Sequence, residues 1–82
     1  MKEFYFVYIL ESILQPENYY TGQTKDVISR LKKHNEGGCP HTAKFKPWQI
    51  KNYFAFNSKE KALKFEKYLK SGSGREFARR HF

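Results

Sequence analysis

Eighty-two residues leave room for one sheet and two or three helices but exclude two cores, because so short a chain buries only part of its unfolded surface. Aromatic residues make up 18% of the chain, eight Phe and six Tyr among them, enough bulk to fill a small core without disulfides, which argues against a disordered tail. Sixteen Lys and Arg against eight Asp and Glu leave a net charge of +8, so a polyanion, nucleic acid first, is the partner to weigh against a merely solvated basic surface.

Phe4-Tyr5-Phe6-Val7-Tyr8-Ile9-Leu10 is an aromatic and β-branched run, and its near-continuous apolarity predicts a central strand covered on both faces. Glu11 to Asn18 contains Pro16 and reads as a connection. Tyr19-Tyr20-Thr21-Gly22 then forms a second, shorter strand, antiparallel to the first because the loop is short. Thr24 or Asp26 can cap a helix that ends near Asn35 before Gly37-Gly38, with Val27, Ile28 and Leu31 as its apolar stripe. Gly37 to Pro47 has little periodicity and reads as a surface loop. Trp48 to Phe56 supplies the third strand, its larger apolar groups being Ile50, Tyr53, Phe54 and Phe56. Ser58 caps a second helix, Lys59 to Lys70, stopped by Ser71-Gly72-Ser73-Gly74; Arg75 to Phe82 can add a short basic helical tail. The order β-β-α-β-α, with no internal repeat or linker, predicts one domain over 1–82 of the α/β (α+β) class, a three-stranded antiparallel sheet flanked by helices.

Several side chains fall where chemistry could use them. On the second helix, Ala62, Leu63, Phe65, Tyr68 and Leu69 form a broad apolar arc, and Glu66 lies inside it. Desolvating a carboxylate without a partner is costly, so either a cation or donor meets Glu66 there or the arc opens onto a cleft; the plainer reading is a structural salt bridge with a lysine. Arg30 and His34, four residues apart, share one helix face and together could hold a phosphate; the plainer reading is a solvent-exposed basic helix that also includes Lys32 and Lys33. Tyr20 and Gly22 lie on one face of a strand next to Tyr8, an arrangement that in a sheet is usually just packing. Cys39 is the only cysteine, which excludes an internal disulfide and fits a reducing, cytoplasmic setting. With three His at no standard spacing it does not make a zinc site. Gly72-Ser73-Gly74 lacks the Lys-Ser/Thr of a nucleotide-binding turn. No stretch approaches the roughly 20 apolar residues of a membrane span, and the first residues carry no signal-peptide cleavage site.

Taken in order, these residues resemble the GIY-YIG nuclease pattern over nearly the whole chain. Phe6-Val7-Tyr8 stands where the family has Gly-Ile-Tyr, with Phe6 in place of the glycine, and Tyr20-Thr21-Gly22 stands where it has Tyr-Ile-Gly. Arg30 and His34 follow at the family's interval, and Glu66 lies on the later helix that supplies the acidic residue. The runs Val7-Tyr8-Ile9-Leu10, Arg30-Leu31, His34-Asn35, Pro47-Trp48 and Glu66-Lys67-Tyr68-Leu69-Lys70-Ser71-Gly72 are similar to small, stand-alone bacterial members.

The resemblance implies a three-stranded antiparallel sheet and a metal-dependent endonuclease acting on DNA, structure-selective and linked to repair or recombination. It assigns one divalent cation, Mg2+ or Mn2+, to Glu66, water activation to Tyr20, the scissile phosphate to Arg30, and supporting hydrogen bonds or proton transfer to Tyr8 and His34. Nucleic acid would be held through Arg30, Lys32, Lys33, Lys44, Lys46 and Lys70, mainly by phosphate contacts and so with little base specificity. The alternative is a nucleic-acid-binding module of the same fold that turns over slowly or not at all.

Overall fold

The computed structural model describes residues 3–82. Three strands, β1 (Tyr5–Ser12), β2 (Tyr19–Thr24) and β3 (Trp48–Phe56), form one antiparallel sheet in the order β2-β1-β3. Four helices surround it: α1 (Val27–Asn35), α2 (Pro40–Ala43), α3 (Lys59–Leu69) and α4 (Gly72–His81). No helix among the described residues is long and apolar enough to cross a membrane.

The unbroken apolar run of β1 has its physical reason in the two layers that cover it. Val7 and Ile9 pack with Ala62 and Leu69 of α3 on one face, joined by Phe54, Phe56, Phe65 and Phe82. Tyr8 and Leu10 pack with Val27 of α1 and with Trp48 on the other. Each fully buried aliphatic side chain of this kind contributes about 1.5 to 3 kcal/mol.

A bulge lets β3 serve both layers. Ile9 pairs with Asn52 but Leu10 pairs with Ile50, so Lys51 is the extra residue. Trp48 and Ile50 consequently join the α1 face while Phe54 and Phe56 join the α3 face, although all four are even-numbered. Simple alternation cannot anticipate this change of side. Tyr53, one of the larger apolar groups of this strand, is 58% exposed and meets Phe6 edge-on.

The helix starts follow their capping residues. Asp26, rather than Thr24, caps α1 by accepting from the Ser29 N–H at 3.0 Å, while Thr24 bonds the Asp26 backbone. Ser58 caps α3 as expected. Two readings require correction. The Ser71–Gly74 segment ends α3 but also begins α4: the Ser71 hydroxyl accepts from the Gly74 N–H at 3.1 Å and donates to the Tyr68 carbonyl at 2.6 Å. Gly74 permits that junction, since a Cβ there would stand 2.8 Å from the Leu69 Cα and collide with the Tyr68 carbonyl. The expected surface loop, Gly37 to Pro47, contains α2, whose Thr42 is buried. The Trp48 indole donates to the Thr42 carbonyl at 2.9 Å, and Ser12 Oγ donates to the Phe45 carbonyl at 2.7 Å. Asn35 clamps the start of β3, its side chain accepting from the Trp48 N–H and donating to the Trp48 carbonyl.

On α1 the buried line is Val27 and His34 with half-buried Leu31, whereas Ile28 is 71% exposed. Four residues separate Leu31 from Val27 but only one separates Ile28 from it, so Leu31 rather than Ile28 lies above Val27 on the sheet-facing side. On α3, Leu63 and Tyr68 lie partly in solvent at the margins of the arc, while Ala62 and Leu69 are buried.

Candidate active site

Tyr8 projects from the most buried strand toward β2, directly across from Gly22. Its phenol occupies the space that a side chain at Gly22 would fill, since a Cβ there would lie 2.6 Å from the phenol Cζ. Glycine at this position therefore acts through its missing side chain, not through an unusual backbone angle.

The Tyr8 hydroxyl lies 3.0 Å from Nε2 of His34, and Nδ1 of His34 lies 2.8 Å from Oγ1 of Thr42. Thr42 Oγ1 donates its one proton to the Cys39 carbonyl at 3.2 Å, so it must accept from Nδ1–H. A neutral His34 then accepts at Nε2 from the Tyr8 hydroxyl. The charge states agree with this chain of donors. Burial, then the neighbouring Arg30 and Lys33 cations, hold the His34 pKa below 6.5. Burial pushes the Tyr8 phenol well above its ordinary value; Tyr20, Cys39 and Glu66 add to the rise, and Arg30 opposes it. Tyr8 and His34 are 1% and 0% exposed.

Tyr20 extends this buried pair to the surface. Its ring centroid is 4.8 Å from that of His34 and 6.2 Å from that of Tyr8, and the side chain is half-buried. Arg30, also half-buried, is close enough for its charge to bias both Tyr8 and His34. Glu66 approaches from α3, 19% exposed, with Lys70 Nζ at 2.9 Å from its carboxylate. Lys70 in turn lies 5.8 Å from the centre of the Tyr20 ring. The lysine partner expected as a structural alternative is thus present, and it sits at the tyrosine cluster.

The other basic residues singled out from the sequence lie at the surface, Lys33 alone among them acting on His34. Lys32, Lys33, Lys44 and Lys46 are exposed, with the Lys44 ammonium over the Phe45 ring. Thr42 was not anticipated; its signal would have been a threonine eight residues after His34, which carries no weight until α2 folds back over α1. No group of three or more His, Cys, Asp or Glu able to hold a metal occurs among the described residues. A lone, partly exposed carboxylate suits a hard divalent cation that keeps most of its shell as water and substrate oxygen, and does not suit structural zinc.

Sequence comparison leads to the same class of protein as this geometry. The model of the GIY-YIG catalytic domain matches residues 4–80, and the chain belongs to the GIY-YIG family. Within the family it is similar to small proteins: it is 40% identical over 73 residues to a UPF0213 protein of Halalkalibacterium halodurans, covering 88% of this chain and 76% of that one. The solution NMR structure of a UPF0213 protein from Bacillus halodurans superposes with a TM-score of 0.56 at 38% identity, covering 93% of this chain and 80% of the other. The chain is also 40% identical over 74 residues to the structure-specific endonuclease subunit SLX1 of Debaryomyces hansenii. That match covers 82% of this chain but only 21% of SLX1, so the chain corresponds to one part of the larger protein.

Proposed function

We propose that residues 1–82 act as one metal-dependent endonuclease domain that hydrolyses phosphodiester bonds in DNA. The observation that carries this reading is the meeting of Tyr8, Tyr20, His34 and the Glu66–Lys70 pair, from four different elements, at the β2 edge of the sheet. Packing alone does not require a fully buried phenol–imidazole–hydroxyl chain beside a guanidinium.

Arg30 holds the non-bridging oxygens of the scissile phosphate and meets the charge that grows there. Tyr8 stays protonated, and His34, fixed by Thr42, holds its hydroxyl in place; His34 is thus a positioning residue. Tyr20, reaching solvent, accepts a hydrogen bond from the attacking water and passes its proton outward. The water oxygen forms the new P–O bond, the bond to the leaving sugar oxygen breaks, and that oxygen takes a proton from solvent. A divalent cation, Mg2+ or Mn2+, when bound at Glu66 supplies Lewis-acid charge to the phosphate. SLX1 bears the name of a structure-specific endonuclease subunit, which supports structure-selective cleavage here; a repair or recombination setting belongs to the same proposal.

Purified protein incubated with branched, nicked and single-stranded DNA in Mg2+ or Mn2+ tests the reading. Cleavage is expected and is lost in Glu66→Ala and Arg30→Ala; cleavage unchanged in both variants would remove these assignments. The Lys70 ammonium on Glu66 favours one second reading, a slow or inactive nucleic-acid-binding module. In that case DNA binding falls with salt but is indifferent to chelators and to Glu66→Gln.

A further inference from the structure

A concavity of about 610 Å³ lies on the α3–α4 side of the sheet. Ile9, Tyr19 and Thr21 form its floor, and Leu69, Ala78 and Phe82 its apolar wall. Lys51, Lys70, Arg75 and Arg79 surround it, with Glu17 the one acidic side chain among the lining residues. Arg79 is bound to Glu76 and Lys70 to Glu66, but among the described residues neither Lys51 nor Arg75 pairs with a carboxylate.

The bulge in β3 brings Lys51 here, and its Nζ lies 4.6 Å from the centre of the half-exposed Tyr19 ring. An aromatic face beside unpaired cations is the pairing that holds an unstacked base and its phosphate. The volume suits one nucleotide unit. Tyr20 and Lys70 border both this cavity and the candidate active site, so the two sites adjoin at the β2 edge.

We propose that this cavity binds a nucleotide unit of single-stranded nucleic acid, with Tyr19 stacking the base and Lys51 and Arg75 holding the phosphate, as the continuation of a strand held at the candidate active site. The proposal rests on that site being a nucleic-acid site, and it adds an unpaired arm to the preferred substrate. A free nucleotide has the same chemistry; the shared border at Tyr20 and Lys70 favours the strand.

Fluorescence anisotropy in EDTA, where no cleavage contributes, tests this independently of activity. The probes are a labelled single-stranded DNA oligonucleotide, a blunt duplex and free dTMP as competitor. In K51Q/R75Q the single-strand salt slope should become shallower by about 1.4, two contacts at roughly 0.7 each, and Y19A should weaken single-strand binding about fivefold or more. Duplex affinity should change little. Unchanged single-strand binding and salt slope in these exposed variants, or equal losses on single strand and duplex, would overturn the proposal. Full displacement of the oligonucleotide by saturating dTMP would overturn the strand assignment. Failure of cleavage with these binding differences intact would count against the nuclease reading alone.

Discussion

The Tyr8 phenol lies across Gly22 of the neighbouring strand and reaches His34 because no Cβ stands in its path. The glycine of one strand and the tyrosine of the next are therefore a single steric unit. In Gly22→Ala the phenol must shift or the strands must part, and overpacking of this kind costs about 1 to 3 kcal/mol. Urea unfolding should show that loss, and DNA cleavage should fall further than the remaining folded fraction explains. An alanine variant with parental activity would separate Gly22 from the site.

Thr42 accepts the Nδ1 proton of a fully buried imidazole. Thr42→Val keeps the shape but strands that donor, at about 1 to 3 kcal/mol, and frees the ring to change tautomer. Thr42→Ser should restore both. The checks are denaturant unfolding and the imidazole nitrogen shifts of His34 by NMR. Equal stability of the valine and serine variants would contradict the assigned hydrogen bond.

Because burial and then Arg30 and Lys33 lower the His34 pKa from 6.5, the folded protein takes up this proton less readily than the unfolded chain. The stabilisation is fully present above about pH 6.5, declines as pH falls, and is lost once pH passes through the lowered native value. An NMR titration should find the ring still neutral at pH 6.5. Half-protonation at or above that pH would contradict the buried neutral state.

Lys70 occupies the carboxylate to which the cation is assigned. Replacing it with methionine keeps the stem but removes the competing charge. Half-maximal cleavage, measured at saturating DNA, should then require about fivefold less Mg2+, equivalent to an exposed ion pair of ~1 kcal/mol. DNA affinity should drop at the same time. A requirement for more Mg2+ would show that Lys70 assists the cation instead of excluding it.

The sheet and its order were legible because β1 is covered on both faces and so reads as one apolar run, and because Asp26 and Ser58 cap their helices locally. The five residues of the candidate site could be listed from the family pattern, but not their division of labour. That His34 is sealed from solvent depends on α2, a single turn held by contacts of Thr42 to His34 and Trp48, eight and six residues away, spacings that no helix or strand periodicity records. The start of α4 was hidden for a related reason. Gly72 and Gly74 disfavour a helix by intrinsic propensity, and only packing against the end of α3 makes Gly74 the residue that fits.

The displaced register at Lys51 also bears on what happens along the rim of the sheet. β3 offers its outer backbone to no other strand among the described residues, and a long straight rim of this kind is a template on which further copies can add and grow into aggregates. The kink divides that rim into two short stretches of different twist and sets a lysine at the break. Deleting Lys51 would thus restore a long straight rim as well as remove one cation.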